Sequence, residues 1–309
     1  MRNAECTLHS RYALVSAGVN GMRKRKANAS LMFVVLILTI LCLPLIASAK
    51  TVQQPKIILK PNTPGPGDIM VVIVKGVDGP VEGKFGDRKI YFNPAKESVK
   101  AVVGIDLFTE PGDYTLELSA NGVALTRTVK VIRKKYPVQK LTLPKDMVEL
   151  SPENEARVER EQREVSAIWP NETERDWNGD FVNPRPGKIV TQFGVRRIMN
   201  KIPKSPHSGV DVEAEEGDEV RAPNNGIAVK TDTLFYSGNS IFLDHGQGIY
   251  TMFFHLSKIL VTPGQAVKKG DVIGLVGSTG RSTGAHLHWG ARVQGARVDP
   301  VELIHLKLE

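Results

Sequence analysis

Cysteine is almost missing from this chain: 309 residues contain two, Cys6 and Cys42. Both lie inside a stretch that reads as an export signal. Residues 23 to 26 are "RKRK", residues 31 to 46 are the apolar run "LMFVVLILTILCLPLI", and "ASA" at 47 to 49 supplies the small residues of a cleavage site. The apolar run is shorter than the ~20 residues a bilayer-spanning helix needs, and Pro44 sits near its end. Cleavage after Ala49 is therefore expected in preference to a retained anchor, and Leu41 before Cys42 argues against a lipid anchor. The residues ahead of Met22 have no role in such a signal, which leaves Met1 and Met22 both open as the start. The mature chain then has no cysteine, which excludes disulfides and thiolate ligands. Any metal must be held by histidine and carboxylate.

A large excess of either charge is also lacking once the signal is removed. The whole chain carries 41 Lys and Arg against 33 Asp and Glu, a net +8, but residues 1 to 49 hold six of the bases and one of the acids, leaving +3. A nucleic-acid partner is not expected from so small an excess. Two catalytic signatures are absent as well. There is no H-E-x-x-H helix, and "GSTGRSTG" at 277 to 284 lacks the Gly-Lys-Ser/Thr ending of a phosphate loop.

What is present is mostly β-pattern. From Lys50 to Lys135, short β-rich runs alternate with turn signals, and Asn121-Gly122 between two alternating runs is a strong hairpin signal. This region is expected to form an immunoglobulin-like β-sandwich without chemistry of its own. Residues 136 to 182 read as a connector with one helix, capped by Ser151, started by Pro152 and ended by Pro170. Val158 and Val165 give that helix a thin apolar stripe, which predicts a solvated helix resting on a neighbouring domain. From Asn183 the β-pattern returns, with about eight antiparallel strands expected to the C-terminus.

That last region concentrates the metal-ligand side chains. In "HSGVD", His207 and Asp211 could share a helix face, but Gly209 and the flanking Val210 and Val212 favour an extended strand. In "GAHLHWG", His286 and His288 would face together, away from Leu287 and Trp289. In "YTMFFHLS", the same alternation puts Phe253 and His255 on one face and Phe254 and Leu256 on the other. His245, in the tight turn "DHGQG", and His305 are expected to be structural, and His9 falls outside the mature chain.

Together these residues resemble the lysostaphin-type, or LytM-like, zinc metallopeptidase family, whose pattern is H-x-x-x-D, a lone His before Leu, then H-x-H. "FGVRR", "APNNGIAV", "DHGQGIYTM" and "VDP" are similar to that family too, so the resemblance covers about 183 to 301. It implies a C-terminal antiparallel β-sheet peptidase domain at 183 to 309 in an all-β protein. It further implies one Zn²⁺ per chain held by His207, Asp211 and His288, with His255 and His286 left in the cleft as catalytic acid and base. Two imidazoles and a carboxylate leave a zinc position open for water, as catalytic sites do.

Two departures stand out. Many members have Tyr where this chain has Phe253, and "RRIMNKIPKSP" lacks the tyrosine that some members place before the first ligand. Arg196 or Arg197 is a candidate substitute, stabilising charge or gripping substrate carboxylates, the alternative being an exposed basic strand end. The resemblance and the export signal together imply a peptidoglycan endopeptidase of the bacterial periplasm or envelope, cutting the D-alanyl to diamino acid cross-link. The alternative is a non-catalytic LytM-like wall-binding regulator or amidase activator, with envelope regulators as partners. Such regulators typically lose zinc ligands, whereas all five positions are retained here.

Overall fold

The computed structural model describes residues 54–142, 150–171 and 173–308. The expected export signal lies outside them. Among the described residues, no helix is long and apolar enough to cross a membrane.

Eight strands open the fold: β1 (Lys56–Lys60), β2 (Ile69–Lys75), β3 (Val81–Phe85), β4 (Arg88–Ile90), β5 (Phe92–Ala95), β6 (Ser98–Gly104), β7 (Gly112–Ala120) and β8 (Val123–Val131). They form two four-stranded antiparallel sheets, β1-β2-β6-β5 and β4-β3-β7-β8. Met70, Val72 and Val103 from one sheet pack with Phe85, Leu116 and Val129 from the other. This is the expected immunoglobulin-type sandwich, with its strand order A-B-E-D on one side and C′-C-F-G on the other. Asn121 and Gly122 turn the β7-β8 hairpin with φ of 51° and 74°, the two left-handed residues a type I′ turn requires.

The connector contains more than a helix. β9 (Val138–Leu141) pairs in parallel with β11 (Arg196–Met199), which also pairs with β12 (Ile202–Pro203). Helix α1 (Pro152–Ser166) starts as expected, with the Ser151 hydroxyl accepting from the Asn154 amide and proline in the first turn. Its Val158 is buried, and Val165 joins Ile168 and Trp169 against Leu234, Phe242, Tyr250 and Met252.

The remaining strands are β10 (Ile189–Thr191), β13 (Gly209–Glu213), β14 (Glu219–Arg221), β15 (Gly226–Leu234), β16 (Gly238–Asp244), β17 (Ile249–Leu256), β18 (Lys258–Ile259), β19 (Ala266–Val267), β20 (Val272–Leu275), β21 (His286–Val293) and β22 (Ala296–Val298), followed by α2 (Pro300–His305). Eight of them form one sheet, β10-β13-β21-β17-β16-β15-β19 with β22 beside β21, and β14-β20-β18 form a smaller one. Every pairing in both is antiparallel. Val212, Phe253, Leu287 and Trp289 of the large sheet meet Val220 and Ile273 of the small one in a common core. Alternation along β13 and β21 leaves Asp211, His286 and His288 on the opposite face.

The sandwich and the large sheet share a further core. Ile69, Val71 and Val102 pack with Ala291, Val293, Ala296, Val298 and Leu303. Polar contacts seal its edge: the Ile69 amide donates to Glu302 at 2.6 Å, and Arg297 pairs with Asp106 at 3.1 Å. Burial pushes the Glu302 carboxyl up to about 7.

Candidate metal centre

Strand register assembles the site. Across the large sheet, Asp211 on β13 stands directly opposite His288 on β21, which stands opposite Phe254 on β17. Cross-strand partners lie ~4.5–5.5 Å apart, close enough for side chains to meet. His207 reaches the same point from the turn before β13. Its Nε2 lies 2.9 Å from Asp211 Oδ1 and 3.0 Å from His288 Nδ1, and His288 Nδ1 is 2.9 Å from the same oxygen. All three residues are buried, and they are the group of ligand atoms able to hold a metal ion among the described residues.

The hydrogen inventory of this triangle favours a cation. His207 Nδ1 sits 3.0 Å from the Gln192 carbonyl, which only accepts, so in the neutral ring Nδ1 carries the proton and Nε2 is bare. His288 Nδ1 can supply one proton for three contacts. His207 Nε2 and the carboxylate then face each other as acceptors, an arrangement that a metal ion satisfies. The separations of 2.9 to 3.0 Å are roughly half an ångström under the about 3.4 Å expected between tetrahedral zinc ligands at bonds of about 2.1 Å. Burial pushes the Asp211 carboxyl up, but the two imidazoles against it win, holding it well below the usual carboxylate range. Burial lowers His288 to about 4, so its ring is neutral and competent as a ligand near pH 7.

Packing fixes the His288 ring from two sides. Phe254 stacks on it at 5.2 Å with a 7° interplanar angle. A Cβ at Gly209 would lie 2.6 Å from its Nε2 and 2.5 Å from the Trp289 carbonyl, so only glycine fits there.

His255 and His286 flank the triangle, their rings 4.8 Å apart. His255 Nδ1 donates to the Thr279 carbonyl at 2.8 Å, and His286 Nδ1 to the Gly284 carbonyl at 2.9 Å. Each neutral ring therefore presents a bare Nε2, that of His286 lying 3.8 Å from Asp211 Oδ1. Burial, reinforced by the neighbouring His286 and opposed by the Thr279 carbonyl, lowers the His255 pKa. The "GSTGRSTG" loop thus supplies the carbonyls that set both tautomers.

One alternation reading is corrected here. Phe253 and Leu256 both enter the core, while Phe254 and His255 both face the site. The cause is a β-bulge: Asn239 pairs with Leu256 and Ile241 with Phe253, leaving Ser240 opposite two residues, and His255 takes φ of 62°. Phe254, Gly209 and the carbonyls of Gln192, Thr279 and Gly284 were not recognised as site components from sequence. Gly209 between the first two ligands was the one available signal.

Of the two arginines, Arg197 approaches the site, its Nη2 3.5 Å from Asp211 Oδ2. Its buried Nε has no hydrogen-bond partner. Arg196 is exposed on the same strand. His245 is fully buried, with Nδ1 2.6 Å from the Asn225 carbonyl and Nε2 2.8 Å from Thr251 Oγ1, and burial lowers it to about 4.

Residues 205–300 match the peptidase family M23 model. Over 116 residues the chain is 39% identical to the peptidoglycan DD-endopeptidase ShyA of Vibrio cholerae, a match covering 37% of this chain and 27% of that protein. It is 42% identical to the DD-carboxypeptidase/endopeptidase Mpg of Neisseria meningitidis, over 38% of this chain and 27% of that protein. The matched segment thus spans about a quarter of the length of these curated relatives. A crystal structure of a peptidase M23 from Pseudomonas aeruginosa is 34% identical, covers 79% of this chain and 96% of its own, and superposes with a TM-score of 0.65. With that structure matched over nearly its whole length, and with its buried His-Asp-His triangle, this chain belongs to peptidase family M23.

Proposed function

We propose that the chain is a zinc-dependent endopeptidase of the bacterial envelope that hydrolyses the D-alanyl to diamino acid cross-links of peptidoglycan. The observation that carries this reading is the triangle of His207 Nε2, Asp211 Oδ1 and His288 Nδ1, which has too few protons for its acceptors and suits a cation. The names of the relatives, DD-endopeptidase and DD-carboxypeptidase/endopeptidase, support the substrate class. Zinc held by His207, Asp211 and His288 would supply Lewis acidity toward a peptide carbonyl and make water more acidic.

The chain's own residues do the rest. With Nδ1 tied to a backbone carbonyl, His255 and His286 each hold a bare Nε2 ready to accept a proton. One takes the proton of the attacking water at its Nε2, and the proton so held on the imidazole pair is then returned to the leaving amine. Arg197 holds Asp211 from its second oxygen, and with Arg196 it offers cationic charge to substrate carboxylates. The division of labour assigns hydrolysis to residues 183–309, a supporting role to the sandwich at 50–135, and bracing to the connector at 136–182.

Digestion of purified sacculi followed by mass analysis of the muropeptides tests the reading. Loss of cross-linked dimers with gain of monomers bearing a free D-alanine carboxylate is expected. Release of intact stem peptides from the glycan, or no release at all, would contradict it.

A further inference from the structure

The sandwich carries a basic recess that the peptidase site does not use. Its floor is the outer face of the β1-β2-β6-β5 sheet, where Ile58, Val71 and Ile73 point away from the sandwich core, and Leu306 closes one side. The recess encloses about 840 Å³. Five lysines line it: Lys60, Lys75, Lys96, Lys100 and Lys307, against a single acid, Glu97. Among the described residues, Lys60, Lys75 and Lys96 form no ion pair, while Lys100 donates to the Lys307 carbonyl and Lys307 pairs with Asp180. Lys75 also stands directly opposite Lys56 across β1-β2, and like charges so placed repel.

Protection of a sheet edge explains only part of this. Lysines on an edge strand discourage pairing with other chains, which accounts for Lys56 and Lys60 on β1. It does not account for Lys75 and Lys100, which lie on the two interior strands of the sheet. Nor is the recess simply leftover surface, because the neighbouring part of the same face, around Ile69 and Val102, packs with Val298 and Leu303.

We propose that this recess is a docking site for the carboxylate-bearing peptide strands of peptidoglycan, holding the enzyme on the polymer that its metal centre cuts. The substrate identity rests on the function proposed above, whereas the anion-binding character rests on the recess alone. Three features select this occupant. The cations rim a hollow, which a chain can enter and a flat bilayer surface cannot. No arginine lines the recess, so charge is offered without the rigid fork that fixes phosphate or carboxylate geometry, and that suits carboxylates repeated at variable spacing. The apolar floor accepts the alanyl methyls and methylene segments between them. A second contact on the same polymer raises the local concentration of cross-links at the active site without new catalytic contacts.

The test is co-sedimentation of the full chain with purified sacculi in low salt, for the wild type and for the combined variant Lys60→Glu, Lys75→Glu, Lys96→Glu. All three side chains are exposed, and the neutral counterpart Lys60→Gln, Lys75→Gln, Lys96→Gln serves if charge reversal impairs folding. About tenfold weaker sedimentation of the variant is expected, with wild-type binding falling as salt is added and hydrolysis of a short soluble cross-linked peptide unchanged. Equal sedimentation of wild type and variants would overturn the proposal. So would preferential, lysine-dependent binding of the wild type to phosphatidylglycerol vesicles, which would make the partner a lipid surface. If the lysine-dependent binding is found but neither protein cuts the soluble peptide, docking stands and the hydrolase reading fails.

Discussion

Four histidines converge on one cleft, and what separates their roles is where each ring nitrogen lies. His207 Nε2 and His288 Nδ1 both lie 2.9 Å from Asp211 Oδ1, whereas His255 and His286, with Nδ1 spent on backbone carbonyls, keep Nε2 clear of that contact. His255 sits at a left-handed φ of 62°, which asparagine tolerates better than alanine, so His255→Asn removes the imidazole with least damage to the bulge. That variant should keep its metal and lose hydrolysis by about 10²- to 10⁴-fold; unchanged turnover would make His255 a packing residue. Burial lowers the His255 pKa below its ordinary 6.5, so with His255 as the base the acid limb of kcat/KM should fall below 6.5, and an acid limb at or above 6.5 would give that role to His286. His245 supplies a stability prediction. Its folded pKa of about 4 against 6.5 unfolded means the unfolded chain binds the extra proton, so stability is lost as pH falls from 6.5 to about 4 and is insensitive to this group above 6.5. The full loss is on the order of 3 kcal/mol. Thermal melts of the metal-free protein across that window should show a slope that His245→Gln makes shallower by about one proton.

At the scale of elements, the helix and the bulge are coupled through one carboxylate. Glu161 on α1 accepts from Arg157 Nε at 2.7 Å and from the Phe235 amide at 2.8 Å, and two residues on, the Ser237 carbonyl accepts from the His255 amide at 2.8 Å. Glu161→Ala should cost about 1–2 kcal/mol, a fall of roughly 2–8 °C in Tm, measurable by calorimetry. The start of this helix was legible because Ser151 and Pro152 are local signals, as was the Asn121-Gly122 hairpin. Period-two alternation likewise placed His286 and His288 together. It failed at His255 because one extra residue in a strand flips the face of everything after it, and nothing in "YTMFFHLS" marks the bulge. The parallel pairing of β9 with β11 was also illegible, since it joins segments more than 50 residues apart. Ligand atoms and tautomers were out of reach for the same reason: carbonyls of distant loops choose them.

At the scale of the molecule, the sandwich and the large sheet bury Val71, Val102, Val293, Val298 and Leu303 together, so they should unfold as one unit. A chain beginning at residue 183 would expose the Val293 to Leu303 side of this core. It should show a lower Tm than the full chain and a tendency to aggregate, which light scattering during a melt would reveal; equal stability would mean that the shared core contributes little. The account's central claim is that a metal at His207, Asp211 and His288 makes this chain a peptidase. It is tested most directly by measuring zinc content and cross-link hydrolysis on the same samples of the wild type and of His207→Ala, Asp211→Ala and His288→Ala. About one zinc per chain with hydrolysis is expected in the wild type, and loss of both in each variant, since three ligands leave no redundancy. Full zinc occupancy in any of the three variants, or undiminished hydrolysis by the zinc-stripped wild type, would contradict the account.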